Sequence, residues 1–215
     1  MLITSLGHAC LLVDAAGTRV LFDPGVFSPD LSAATDLDAI VVTHEHADHL
    51  DRDRLPDLLR ANPGAHLWAE PSVAASLAEH DADPLNPGDL VALGSVTLRA
   101  VGGDHAVIHR GIPRVGNVGV LLSTDGEPTL LHPGDSYEPT PAGVDVLAVP
   151  LSAPWASLRE TVDFVRAVAP RVVVPVHDAL LSPVGRRLYL SQLERLGGEP
   201  VRDLDGAGAV GFDAA

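Results

Sequence analysis

Thr43-His44-Glu45-His46-Ala47-Asp48-His49-Leu50 follows directly on the apolar run Leu37-Asp38-Ala39-Ile40-Val41-Val42. A buried strand that ends in three imidazoles and a carboxylate within six residues brings a dense set of metal-binding donors to one point on a sheet rim. His44 and His46 are two apart and share a side in an extended segment. Asp48 and His49 are adjacent and project differently as the chain turns away. One short loop can therefore serve two cations.

Length and charge limit the alternatives. A chain of 215 residues suits one domain with a sizeable core, so residues 1–215 are expected to form a single unit. The formal net charge of −15 repels phosphate backbones and anionic headgroups, which disfavours nucleic acid and membrane surfaces as partners. A single cysteine, Cys10, cannot form an internal disulfide and is expected to pack in a strand. The N-terminal segment has no basic leader, and His8 and Asp14 interrupt its apolar character. A cytoplasmic protein is expected.

Working outward, Leu2 to Leu6, Cys10 to Val13 and Arg19 to Phe22 read as a β-meander broken at Gly7-His8 and at Asp14-Ala15-Ala16-Gly17. Beyond the histidine loop, Asp51 to Arg60 and Pro71 to His80 read as helices around a strand at His66 to Ala69. From Asn86 the pattern becomes all-β, with runs at Leu90 to Leu93, Val96 to Val101, Val118 to Ser123 and Thr129 to His132. A closing βαβ unit follows: a strand at Val144 to Pro150, a helix at Ser157 to Val168 and a strand at Arg171 to Val176. Gly185 to Leu196 reads as a terminal helix and Ala209 to Phe212 as a last strand.

The histidine motif resembles the signature of the metallo-β-lactamase superfamily of metal-dependent hydrolases. Gly7-His8-Ala9 and Leu21-Phe22-Asp23-Pro24-Gly25 resemble the opening of its ascorbate-6-phosphate lactonase-like branch. The resemblance implies a four-layer αββα sandwich with a mono- or dinuclear metal centre. It assigns His44, His46 and His105 to one metal and Asp48, His49 and His177 to the other, with Asp135 shared. Glycines before His105 are expected to turn the backbone sharply at the strand end. His105 is preferred to His109 because Gly111 and Pro113 stop a helix from carrying an i, i+4 pair. His8 and Asp23 are expected to orient ligand imidazoles or to contact substrate, and His109 to line the pocket and contact substrate or to face solvent.

Two divalent metals are thus the expected cofactors. Zinc is the default, and manganese, iron or nickel also suit imidazole and carboxylate donors. The implied activity is hydrolysis of a small-molecule ester, lactone or phosphoester by a metal-bound hydroxide, with Asp48 carrying a proton to the leaving group. Arg110, Arg114, Arg186 and Arg187 are the cations that an anionic substrate would meet, although charged loop residues are more often merely solvated. The alternative is a metal-binding protein of the same fold without turnover, acting as a sensor or partner subunit.

Overall fold

A computed structural model describes residues 1–214. The chain opens with the expected meander, β1 (Leu2–Gly7), β2 (Cys10–Ala15) and β3 (Thr18–Phe22), paired antiparallel. β4 (Ala39–Val42) joins β3 in parallel and carries the histidine loop at its C-terminal end. Then come α1 (Leu55–Ala61), β5 (His66–Ala69), α2 (Pro71–Ser76) and the short β6 (Asp83–Pro84). These strands and the last one, β13 (Val210–Gly211), form a seven-stranded sheet in the order β13-β1-β2-β3-β4-β5-β6.

The second sheet contains β7 (Leu90–Leu93), β8 (Val96–Asp104), β9 (Gly116–Ser123), β10 (Leu130–His132), β11 (Val146–Pro150) and β12 (Val172–Val176). Its order is β12-β11-β10-β9-β8-β7. α3 (Leu158–Val168) links β11 to β12, and α4 (Pro183–Gly197) follows β12.

Side-chain alternation builds the layers. Along β4, Ala39 and Val41 face the other sheet, where they meet the inner residues Leu98, Val120, Leu122 and Val146. Ile40 and Val42 point the other way, into a cluster with Leu55 and Leu58 of α1 and Val73 of α2. β11 repeats this on the second sheet: Val146 and Ala148 face inward, and Leu147 and Val149 pack on Val162, Phe164 and Val165 of α3. Strands buried on both faces read as continuous apolar runs, as β4 and β11 do. The result is a four-layer αββα sandwich.

Two expectations need correction. The helix read over Pro71 to His80 ends at Ser76 and continues only as a 3-10 turn over Ala78–His80, closed by Asp81 in the left-handed region. The glycines before His105 do not turn the chain: β8 runs through them, with Gly102 paired to Val118 and Gly103 to Asn117. At Gly102, φ is +81°, so the strand bends without losing its partner. Helix α3 starts as its sequence suggests, with Ser157 and Glu160 forming a reciprocal capping box.

The two sheets are joined at the edge where the site lies. The Val118 N–H donates to the Thr43 carbonyl at 2.9 Å, and the His177 N–H donates to the His8 carbonyl at 3.0 Å.

Candidate metal centre

Five chain segments end on this edge: the β1–β2 turn with His8, the loop after β4, and the C-terminal ends of β8, β10 and β12. They bring two groups of donors together. His44, His46, His105 and Asp135 form one, and His8, Asp48, His49 and His177 the other, with the donor atoms of each within 4.8 Å of one another. Asp135 stands between the groups. Its Oδ2 lies 3.2 Å from His177 Nε2 and 3.4 Å from His105 Nε2, and its Oδ1 lies 3.1 Å from His49 Nε2.

Hydrogen bonds on the far side of each ring fix which nitrogen faces the centre. His49 Nδ1–H donates to Asp23 Oδ2 at 2.7 Å, His105 Nδ1–H to the Ala106 carbonyl at 2.6 Å and His177 Nδ1–H to the Ser152 carbonyl at 2.8 Å. Thr43 Oγ1 donates to Asp23 Oδ2 at 2.8 Å, so it must accept from His44 Nδ1–H at 3.0 Å. All four rings therefore present the Nε2 lone pair inward when neutral. His46 instead turns Nδ1 to the same point, 3.1 Å from His44 Nε2.

His8 differs. Its Nδ1 accepts from the Ala179 N–H at 3.3 Å, which leaves the proton on Nε2, donated to Asp48 Oδ2 at 3.1 Å. It presents a donor where the other rings present lone pairs. Its φ of +52° is unusual for a non-glycine residue and aims the ring at Asp48. Asp23, fully buried with φ +46°, accepts from the Thr43 N–H, the Thr43 hydroxyl and His49, and so ties the loop to β3. His109 is not drawn in: it is exposed, and its Nδ1 accepts from the Gly111 N–H. His132 lies buried behind the centre, stacked on Phe22, with Nε2–H donating to the Ala9 carbonyl.

The electrostatics follow from crowding. Burial pushes His44 well below the usual imidazole range, and neighbouring His49 adds to the effect. Burial also opposes a charge on His49, but the Asp135 and Asp23 carboxylates outweigh it and hold that ring well above its ordinary value. The same balance lifts His177 to about 9, with Asp135 and Asp48 as its partners. Asp135 is held well below the carboxylate range because His49, His105 and His177 overcome its burial.

A metal fits this donor set on a structural criterion. Among the described residues, the buried Nε2 atoms of His49, His105 and His177 and Oδ1 of Asp135 lack hydrogen-bond partners. Such orphaned atoms are costly, and here they converge on one another.

Three neighbours went unread in the sequence. The Trp155 indole N–H donates to Asp135 Oδ2 at 2.8 Å from the loop after β11. Asn117 Oδ1 accepts from the Asp135 N–H at 2.9 Å, while its Nδ2 donates to the Pro133 carbonyl at 2.9 Å. Gly25 packs so tightly that an added Cβ would lie 1.9 Å from the Asp48 carbonyl oxygen. The glycine in Asp23-Pro24-Gly25 was the available signal for that close approach.

Comparison with known proteins agrees with the geometry. The family described as "Beta-lactamase superfamily domain" matches residues 2–177. Protein Rv0786c of Mycobacterium tuberculosis is 45% identical over 197 residues, covering 91% of this chain and 92% of its own. A UPF0173 metal-dependent hydrolase of Azorhizobium caulinodans is 33% identical over 150 residues, covering 63% of this chain and 64% of its own. Igni18, a metallo hydrolase from the hyperthermophilic archaeon Ignicoccus hospitalis, shares the fold with a TM-score of 0.76 at 20% identity, covering 100% of this chain and 99% of its own. With a family match over most of the chain, a donor set to suit and the αββα sandwich, the protein belongs to the metallo-β-lactamase superfamily of metal-dependent hydrolases.

Proposed function

We propose that the protein is a dinuclear metallohydrolase that cleaves an ester, lactone or phosphoester bond in a small molecule, with residues 1–215 acting as one cytoplasmic domain. The observation that carries this reading is the convergence on Asp135 of orphaned buried Nε2 atoms from both groups, His105 from one and His49 and His177 from the other. His44, His46 and His105 would hold one cation and Asp48, His49 and His177 the other, with Asp135 contributing to both. Zinc is the default occupant, and manganese, iron or nickel suit the same donors. Cations bound there would supply Lewis acidity and lower the pKa of a water at the centre.

The chain's own groups supply the rest. Asp48 is the carboxylate placed to move a proton, because its side chain remains 23% exposed while that of Asp135 is 4% exposed. His8 holds Asp48 in that position through its Nε2–H. Trp155 covers one side of Asp135 and restricts water there. Among the described residues no helix is long and apolar enough to cross a membrane. With the net charge of −15, this suits a small-molecule substrate better than a nucleic acid.

The test is elemental analysis of the purified protein, with activity measured on a panel of esters, lactones and phosphoesters before and after chelation. The expected result is two metals per chain and hydrolysis that chelator removes and metal restores. Full metal loading with no hydrolysis across the panel would favour a binding protein over an enzyme.

A further inference from the structure

A cavity of about 470 Å³ opens beside the candidate metal centre, between the segments that follow His105 and Asp135 and the side of α3. Trp155 is the shared wall: its indole N–H is bonded to Asp135 and its ring lies 6.0 Å from that of His105. Tyr137 meets Trp155 edge to face at 4.8 Å, and Phe164 stacks on Tyr137 at 4.9 Å. The polar atoms of these rings are already engaged. The Tyr137 hydroxyl bonds the Pro150 carbonyl at 2.6 Å and Thr161 Oγ1 at 2.8 Å, and the Trp155 N–H is taken by Asp135.

Charge gives the cavity its second property. Arg114 is the cation among its lining residues, against the carboxylates of Glu138, Glu160 and Asp163. The guanidinium is not free: it bonds the His105 carbonyl, reaches Glu138 at 2.6 Å and faces Asp104 at 3.5 Å. Glu160 is engaged with Ser157 in the cap of α3. An anionic group entering here would find no unoccupied cation and no free donor on the aromatic walls. A neutral or cationic aryl group would meet the partly exposed rings of Trp155 and Tyr137, with Phe164 buried against Tyr137, and a cation would gain from their quadrupoles and from the surrounding negative field.

We infer that this cavity binds the part of the substrate next to the scissile bond, and that it accepts an uncharged or cationic aryl group while discriminating against an anionic one, phosphate included. The inference rests on the hydrolase reading and narrows its substrate class to neutral or cationic aryl esters.

Two measurements on the metal-loaded protein test it. The first is titration of indole fluorescence with benzyl alcohol, benzyltrimethylammonium and phenylmethanesulfonate, an anion that coordinates divalent cations weakly; Trp155→Phe assigns the signal against Trp68. The cation should bind at least about tenfold more tightly than the sulfonate, and Asp163→Lys should narrow that gap. The second is hydrolysis of phenyl acetates carrying para-CH2N(CH3)3⁺, para-CH2CH3 or para-CH2SO3⁻ groups, in which the methylene insulates the leaving oxygen from the charge. The same order in kcat/KM is expected. Equal or tighter binding of the sulfonate would overturn the cavity's assigned selectivity and leave the hydrolase reading intact. The expected binding order with no ester hydrolysed would overturn the ester reading and leave the selectivity intact.

Discussion

Replacing Asp23 by Asn tests the idea that the centre is controlled from behind its imidazoles. Asp23 accepts three bonds: from the Thr43 N–H at 2.8 Å, the Thr43 hydroxyl at 2.8 Å and His49 Nδ1–H at 2.7 Å. Asparagine can keep its carbonyl oxygen on the Thr43 N–H, but its amide nitrogen then stands where Oδ2 stood. That nitrogen only donates, so it can satisfy His49 only if the ring moves its proton to Nε2, the atom 3.1 Å from Asp135. The inward lone pair is lost, and the Thr43 hydroxyl, which also receives the His44 proton, loses its acceptor. Loss of such a supporting bond lowers metal affinity by about 10- to 100-fold, and one orphaned buried donor costs about 1–3 kcal/mol in stability. Competition with a chelator reads the affinity, nitrogen NMR of His49 reads the tautomer, and thermal unfolding separates the two effects. Asp23→Asn protein with two metals per chain at parental affinity would refute the reasoning.

Asp135→Ala should lower metal content in elemental analysis and abolish chelator-sensitive hydrolysis, because it removes the carboxylate between the two groups; unchanged loading would show that it bridges nothing. Gly134→Ala should destabilise the protein by at least about 1 kcal/mol in denaturant unfolding, since its φ is +61° and an added Cβ would lie 2.2 Å from Asn117 Oδ1. Burial pushes the Cys10 thiol up to about 12, so a thiol reagent at pH 8 should label it only after denaturation. Because that folded-state pKa is raised, its contribution to stability is complete below the ordinary thiol range and is lost as pH rises from there towards about 12. Urea unfolding at pH 7 and pH 10, on the parent and Cys10→Ala, measures that loss.

What the sequence made legible was local. The loop after β4 could be read because strand, ligand-type residues and turn are contiguous, so spacing and geometry are linked directly. The inner and outer faces of β4 and β11 were harder to separate, since strands covered on both sides lose their alternation. Trp155 gave no signal: it sits in an irregular segment after Pro154, and its role exists only because that loop folds over Asp135, twenty residues away. Asn117 was hidden for a related reason: it lies just before the strand read from Val118, and its partners Pro133 and Asp135 are 16 and 18 positions away. His8 was singled out from its motif, but its tautomer depends on the Ala179 N–H, 171 positions away. The glycines before His105 misled because glycine permits a sharp turn without requiring one. The helix read to His80 failed where Leu77 leaves helical geometry, with φ −114° and ψ +23°.

The Val118 and His177 amide bonds cross from one sheet to the other beside the donors that each sheet contributes. Opening the sandwich at this rim would pull His44 and His49 away from His105 and His177, so the folded form alone offers the complete donor set. Any ion bound there acts as a rivet through both halves of the molecule. Thermal endurance then becomes a function of free metal concentration, rising by about 2.7 kcal/mol at a hundredfold excess over the dissociation constant, and the last amides to exchange with solvent should be those that flank the rivet.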